Sequence, residues 1–355
     1  MEMNINKSLS IYNNKKILIT GHNGFVGSWL TSSLLYLGGY VYGVSLRNKN
    51  KGYDIIVNNK SRLKEYVQNI NNYKKFNSII KIVKPDYIFH LAAQPIVNIS
   101  YKKPLETLQT NIIGTANILK SIIDNEIKNS VIITTDKCYL NKTRAKITFS
   151  ETDEIGGDDI YSASKACAEL ITRSFNLSFQ TNKSYIDTAR AGNILGGGDF
   201  GYKRLLPDIF KSIYNNKSLE IRYPDAIRPW QNILDLVIGY LIIPINQKNR
   251  KHKYDNWNIG PNKNESYIKV ADVLNNLKKI NKRKLNYKIK KKNNFKESKY
   301  LILNNNKIKK IGWSTKYSFE ATLAQISKWY DLYYTSKKKD LKNYTNFLIS
   351  KNFSS

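Results

Sequence analysis

The run Lys16-Ile-Leu-Ile-Thr20 passes without a spacer into Gly21-His-Asn-Gly24-Phe-Val-Gly27, which opens a helix pattern. A buried strand, a glycine turn and a helix in that order leave few folds open. Glycine at these places permits a tight turn, close approach of the backbone to a pyrophosphate, and close packing of helix on sheet. The helix N-terminus then offers unpaired N–H groups to the phosphates. The expectation is a dinucleotide site built on Gly21, Asn23, Gly24, Phe25, Val26 and Gly27.

The first half of the chain continues in the same style. Tyr40 to Val44, Tyr87 to Leu91, Val131 to Thr135 and Tyr185 to Arg190 read as further strands. Pro104 opens a helix with Leu105, Leu108, Ile112, Ala116 and Leu119 at three- and four-residue steps. This alternation predicts an α/β protein, a Rossmann-like doubly wound parallel sheet, with a smaller interleaved C-terminal substrate-binding lobe. Residues 14–190 are assigned to the dinucleotide-binding domain, completed by roughly 228–260. Residues 191–227 and 261–335 form the lobe, where Gly196-Gly-Gly198 and several prolines break the alternation. Residues 336–355 read as a basic, polar tail.

Composition narrows the class. A chain of 355 residues with 41% hydrophobic and 12% aromatic residues can bury a large core. Its longest apolar runs, such as Leu236 to Ile245, are too short to span a bilayer. Met1 to Asn14 lacks the apolar core of a secretory signal. The contexts of Cys138 and Cys167 suggest neither a disulfide framework nor a metal site, so a cytoplasmic protein without a metal is expected. The net charge of +31 invites a nucleic-acid partner. However, the lysines are spread over nearly the whole chain, and the densest run, Lys282 to Lys292, reads as a solvated face. Neither nucleic acid nor a membrane is expected as a partner.

Tyr161 and Lys165 stand four apart and share one face of a helix. A nearby ammonium lowers a tyrosine pKa, which fits the phenol to accept a proton from a sugar hydroxyl. Thr135, at the end of a strand, can donate to the same substrate oxygen. Asp136 and Lys137 follow where catalytic groups of doubly wound sheets sit. After the second strand stands Ser45-Leu-Arg47 instead of a ribose-binding acid, and Arg47 would suit a 2′-phosphate, so NADP competes with NAD.

Taken together, these residues closely resemble the CDP-glucose 4,6-dehydratases, an extended short-chain dehydrogenase/reductase group. The resemblance runs from about Lys15 to about Tyr330. It rests on Gly21 to Leu30, Phe89-His-Leu-Ala-Ala-Gln-Pro95, Thr135-Asp-Lys-Cys-Tyr139, Ala189-Arg-Ala-Gly-Asn193 with Gly196-Gly-Gly-Asp199, and Ile227-Arg-Pro-Trp-Gln231. It implies a bound NAD and an internal redox cycle. Tyr161 would deprotonate the C4 hydroxyl, Asp136 would protonate the departing C6 oxygen, and Lys137 matches the C5 base. Asn69, Ile70, Leu91, Ala92 and Ala93 fall at dinucleotide positions. Gln94, Asn193, Arg204 and Arg228 fall at positions for the nucleotide sugar. Asn69 stands for the usual aspartate, Asn98 for an arginine and Ile160 for a proline. The resemblance further implies a homodimer through the helix after Pro104 and the helix carrying Lys165, and a place in making deoxysugars such as those of lipopolysaccharide O-antigen. Three alternatives stay open: a dehydratase for another nucleotide, a nucleotide-sugar epimerase, and a non-enzymatic dinucleotide- or nucleic-acid-binding protein.

Overall fold

The structure is a computed structural model that describes residues 5–47, 50–141, 147–179, 183–221, 223–247, 250, 252–262, 268–281, 283–290 and 300–353. Seven strands form the central sheet: β1 (Lys16–Thr20), β2 (Tyr40–Ser45), β3 (Leu63–Val67), β4 (Tyr87–His90), β5 (Asn129–Thr135), β6 (Tyr185–Ala191) and β7 (Asn256–Ile259). Their spatial order is β7-β6-β5-β4-β1-β2-β3, and every pairing is parallel. The order reverses between β1 and β4, which places a crevice at the C-terminal ends of those strands.

Burial on both faces explains why these runs are so uniformly apolar. Ile17, Ile19, Val41, Phe89, Val131 and Ala189 enter one core with Trp29, Leu30 and Leu34 of the helix Phe25–Tyr36. Leu18, Val44, Ile88, Ile132 and Ile186 enter the other, against Phe76, Ile80, Ile118 and Ile122. This is the two-residue alternation of a strand, and each fully buried side chain of this size contributes about 1.5–3 kcal/mol. Leu236 to Ile245 belongs to the helix Ile233–Gln247, which is buried almost throughout. No helix among the described residues is long and apolar enough to cross a membrane.

Outside the central sheet the chain makes three short parallel pairs: Ile194–Leu195 with Gln231–Asn232, Leu219–Ile221 with Tyr287–Ile289, and Thr148–Phe149 with Ile302–Leu303. The glycine-rich loop before Asp199 is wedged between aromatic side chains. Trp29 Nε1 donates to the Gly197 carbonyl (3.0 Å), and a Cβ on Gly197 would stand 2.2 Å from Trp329 Cγ. In the basic run, Arg283, Lys284, Lys288 and Lys290 are exposed, while Lys282, Lys291 and Lys292 lie outside the described residues.

Two expectations need correction. Residues 336–355 are not a peripheral tail in the part described: Lys338–Phe353 is a helix, and Leu341, Leu348, Ile349 and Phe353 enter the main core. Its lysines occupy the outer face and mask an apolar stripe at three- and four-residue steps. The helix after Pro104 is interrupted by a π-turn at Gln109–Ile113 before resuming as Gly114–Asp124. The extra residue in that turn rotates the helix face. Thr107, Asn111 and Thr115 are buried, while Leu105 is 79% exposed.

Candidate active site

Gly21 sits at φ +75°, and a Cβ there would lie 2.8 Å from the Ala92 nitrogen. A Cβ on Gly27 would lie 2.1 Å from the Gly21 carbonyl oxygen. Only glycine fits at either position. Gly24 caps the helix Phe25–Tyr36 with extended backbone and no side-chain cap, so the first-turn N–H groups of Phe25, Val26 and Gly27 lack intrahelical acceptors. Asn23 Nδ2 donates to the Leu46 carbonyl (2.8 Å), which ties this turn to the chain leaving β2. At the end of β2, Ser45 is buried with its hydroxyl 2.8 Å from His22 Nδ1, and His22 Nε2 is 3.0 Å from Glu65. Arg47 is exposed.

The segment leaving β4 is fixed by a chain of buried polar groups. Thr115 Oγ1 donates to the Asn111 carbonyl (2.7 Å) and therefore accepts from His90 Nε2 (3.0 Å). His90 Nδ1 then accepts from Thr20 Oγ1 (2.7 Å), which accepts from the Ala92 N–H (3.2 Å). These partners specify the Nε2–H tautomer. Burial, and then the Lys165 charge, pull the His90 pKa down to about 3, so the ring is neutral. Asn111 joins this chain to the Tyr161 helix: its amide donates to the Gln94 carbonyl (3.2 Å) and to Ser164 Oγ (2.9 Å).

Leu91, Ala92, Ala93 and Gln94 are partly exposed beside the turn. The Gln94 side chain, expected on substrate, bonds within the protein instead. Its Nε2 donates to Thr107 (2.9 Å) and its Oε1 accepts from the Ile96 N–H (2.7 Å). Asn69 is exposed, with its side-chain oxygen accepting from the Asn71 N–H (2.9 Å), and Ile70 is buried.

The residues expected to handle protons converge at the ends of β5 and β6. Tyr161 lies in the first turn of the helix Ile160–Ser178, capped by Asp159, which accepts from the Ser162 N–H (3.0 Å). Burial pushes the phenol up to about 12; Arg204 and the Thr135 hydroxyl pull it down, while Asp136 and Asp159 push it up. Lys165 contributes less than the sequence suggested, because burial dominates and its Nζ donates to the Ile133 carbonyl (3.0 Å). Burial draws Lys165 itself down to about 8, opposed by Glu169 and Cys138.

Asp136 begins a 3-10 turn, Asp136–Cys138, and is 2% exposed. Its Oδ1 accepts from Thr135 Oγ1 (2.9 Å), while its Oδ2 is buried without a hydrogen-bond partner among the described residues. Burial raises its pKa against the pull of Lys137, Thr135 and Arg228, which biases the carboxyl towards holding a proton. Lys137 is half-buried. Arg228 is 5% exposed and donates to its neighbour's carbonyl (2.8 Å). Arg204 pairs with Asp199 (3.2 Å). Asn193 follows β6, and its carbonyl accepts from the Gln231 N–H (3.0 Å).

Among the described residues, no group of three or more His, Cys, Asp or Glu is placed to hold a metal ion. The sequence reading assigned no role to His90 or Glu169. Glu169 stands one further helical turn beyond Lys165 on the same face, a spacing that pointed to it.

The profile of the GDP-mannose 4,6 dehydratase family matches residues 18–326. A CDP-glucose 4,6-dehydratase of Salmonella typhimurium is 34% identical over 331 residues, covering 90% of this chain and 92% of that protein. A dTDP-D-glucose 4,6-dehydratase of Dictyostelium discoideum is 28% identical, covering 74% of this chain and 62% of that protein. Among solved structures, an epimerase of Methanothermobacter thermautotrophicus superposes with a TM-score of 0.80 at 22% identity, covering 96% of this chain and 97% of that one. A dTDP-glucose 4,6-dehydratase of Bacillus anthracis in complex with NAD gives 0.74 at 22% identity, covering 89% and 96%. At that identity these two structures establish the fold.

Proposed function

The chain belongs to the GDP-mannose 4,6 dehydratase family, and on that premise we propose that it converts CDP-glucose to CDP-4-keto-6-deoxyglucose with NAD as its resident cofactor. The glycine cradle fits a dinucleotide: Gly21 and Gly27 leave no room for a Cβ, and the helix behind them has a free N-terminus. Gly24, Phe25 and Val26 would hold the pyrophosphate, with Ala92 and Ala93 alongside. When bound, the nicotinamide would supply the hydride chemistry that links C4 and C6.

The remaining steps fall to side chains of this protein. Tyr161 takes the C4 hydroxyl proton while Lys165 supplies cationic charge. Thr135 carries one hydroxyl hydrogen, shared between Asp136 and the Tyr161 side, and it can turn to the substrate oxygen. A C4 ketone makes the C5 proton acidic, and Lys137 stands next to the acid to remove it and to return it to C5 when hydride reaches C6. Asp136 gives its proton to the C6 oxygen, which leaves as water. Asn193, Arg204 and Arg228 hold the diphosphate, the two arginines as planar donors matched to phosphate oxygens.

The observation that carries this reading is Asp136. It is a carboxyl sealed from solvent, raised towards its protonated form, with one oxygen that has no hydrogen-bond partner among the described residues. The choice of CDP-glucose draws its support from the Salmonella relative. The proposal includes a homodimer, supported by Leu105, Ile113, Leu170 and Leu177, which are 79%, 46%, 53% and 50% exposed on the helices that would meet. It also includes a cytoplasmic site of action in deoxysugar synthesis, to which two free cysteines are suited.

Purified protein incubated with NAD and, separately, CDP-, dTDP-, UDP- and GDP-hexoses tests the assignment by mass spectrometry. Loss of one water from CDP-glucose alone, without net NADH, is expected. Water loss from another nucleotide sugar would replace the substrate, and inversion at C4 without water loss would make the protein an epimerase.

A further inference from the structure

We propose that Glu169 is a positioning residue for Lys165: a buried carboxylate, locked in place by Arg190, Thr134 and Thr188, whose field keeps the catalytic ammonium charged. The inference rests on the reading of Tyr161 and Lys165 as the proton-handling pair.

Glu169 and Arg190 are both fully buried and form an ion pair of 2.9 Å. The Thr134 hydroxyl donates to Glu169 Oε1, and the Thr188 hydroxyl donates to Oε2 (2.6 Å). Both carboxylate oxygens therefore accept hydrogen bonds. Arg190 is held in turn: its second nitrogen donates to the Tyr139 hydroxyl (2.8 Å) and the Glu151 carbonyl (3.2 Å), and its plane lies 4.9 Å from the Tyr139 ring centroid. So many fixed partners prevent Glu169 from swinging onto Lys165, and its influence runs through space. Lys165 donates to the carbonyl of Ile133, and Glu169 accepts from the side chain of the next residue, Thr134. The two charges thus flank consecutive residues of β5, one helical turn apart on the same helix.

The surrounding groups leave this role to Glu169. From β4, His90 faces Lys165 but is neutral. From the turn after β5, Cys138 is fully buried, which holds its thiol protonated. Tyr161 shares the Lys165 helix; burial pushes its phenol up, so it carries negative charge only in the state that accepts the C4 proton. Tyr254 lies near Glu169, and burial holds it protonated as well. Glu169 opposes the desolvation of the ammonium from one helical turn away on the same helix, while paired with Arg190.

The test compares Glu169→Gln with Thr188→Val, which removes a hydrogen bond and keeps the charge. The alkaline limb of kcat/KM should move to lower pH by about one unit or more in Glu169→Gln and stay in place in Thr188→Val. The Lys165 midpoint is read independently by NMR of 13Cε-labelled lysine, with the signal assigned by its loss in Lys165→Arg. It should fall in Glu169→Gln whether or not substrate turns over. Should Glu169→Gln not fold, the double variant Glu169→Met/Arg190→Met leaves no unpaired buried charge and should lower the midpoint too. An unchanged Lys165 midpoint in either folded variant overturns the proposal. Absence of turnover in the parent protein would instead overturn the functional reading, with the NMR midpoint still deciding this one.

Discussion

At the scale of single residues, the site depends on where protons rest. Asp136→Asn keeps the shape of a buried side chain and removes its acid. Elimination should slow by at least about 100-fold, while C4 oxidation continues and reduced nicotinamide accumulates in single-turnover absorbance. His90 makes a prediction about stability. Its folded pKa is near 3 against an ordinary 6.5, so the unfolded chain binds the extra proton first. Its contribution is complete above about pH 6.5 and lost as pH falls towards 3, by up to about 1.4 kcal/mol per pH unit. Urea unfolding at pH 7, 6 and 5 should show this slope, and His90→Gln should flatten it. The placement of Tyr161, Lys165 and Asp136 was legible in the sequence because each lies at a short fixed offset from a strand or helix start. The commitments of Gln94 and Glu169 were not: their partners, Thr107 for one and Thr134, Thr188 and Arg190 for the other, meet them only through the fold.

At the scale of elements, the glycine turn was readable because its constraint is local. A Cβ on Gly27 would meet the Gly21 carbonyl at 2.1 Å, and backbone cannot yield that far without opening the turn. Gly27→Ala should therefore lose NAD affinity by at least about tenfold in calorimetric titration while also melting earlier. The C-terminal helix was misread because averaging over its lysines hides which face they occupy. Leu341 is fully buried there, and Trp329 Nε1 donates to Thr345 of the same helix (3.1 Å). Leu341→Ala should lower stability by about 2–5 kcal/mol, measured by urea unfolding. A peripheral tail would show no change. The π-turn at Gln109–Ile113 left no sequence signal, because a helix with one extra residue keeps an ordinary helical composition.

At the scale of the whole molecule, strand order brings the ends of β1, β4, β5 and β6 to one crevice. Alternating strands and helices made that sheet legible, whereas the short strand pairs of the lobe were too brief to carry a pattern. The exposed Leu105 and Leu170 lie on two neighbouring helices. On the homodimer proposal, Leu105→Asp/Leu170→Asp should shift the mass in light scattering from dimer to monomer without unfolding the chain, and an unshifted mass would count against it. The central claim is that one hydride leaves C4 and returns to C6 within a single active site. The most direct test supplies CDP-glucose deuterated at C4, with unlabelled NAD in excess, and locates the label in the product. The account predicts deuterium at C6 of the 4-keto-6-deoxy sugar and none in the NAD pool. Deuterium released as NADH, or retained at C4 of a sugar that has lost no water, would contradict it.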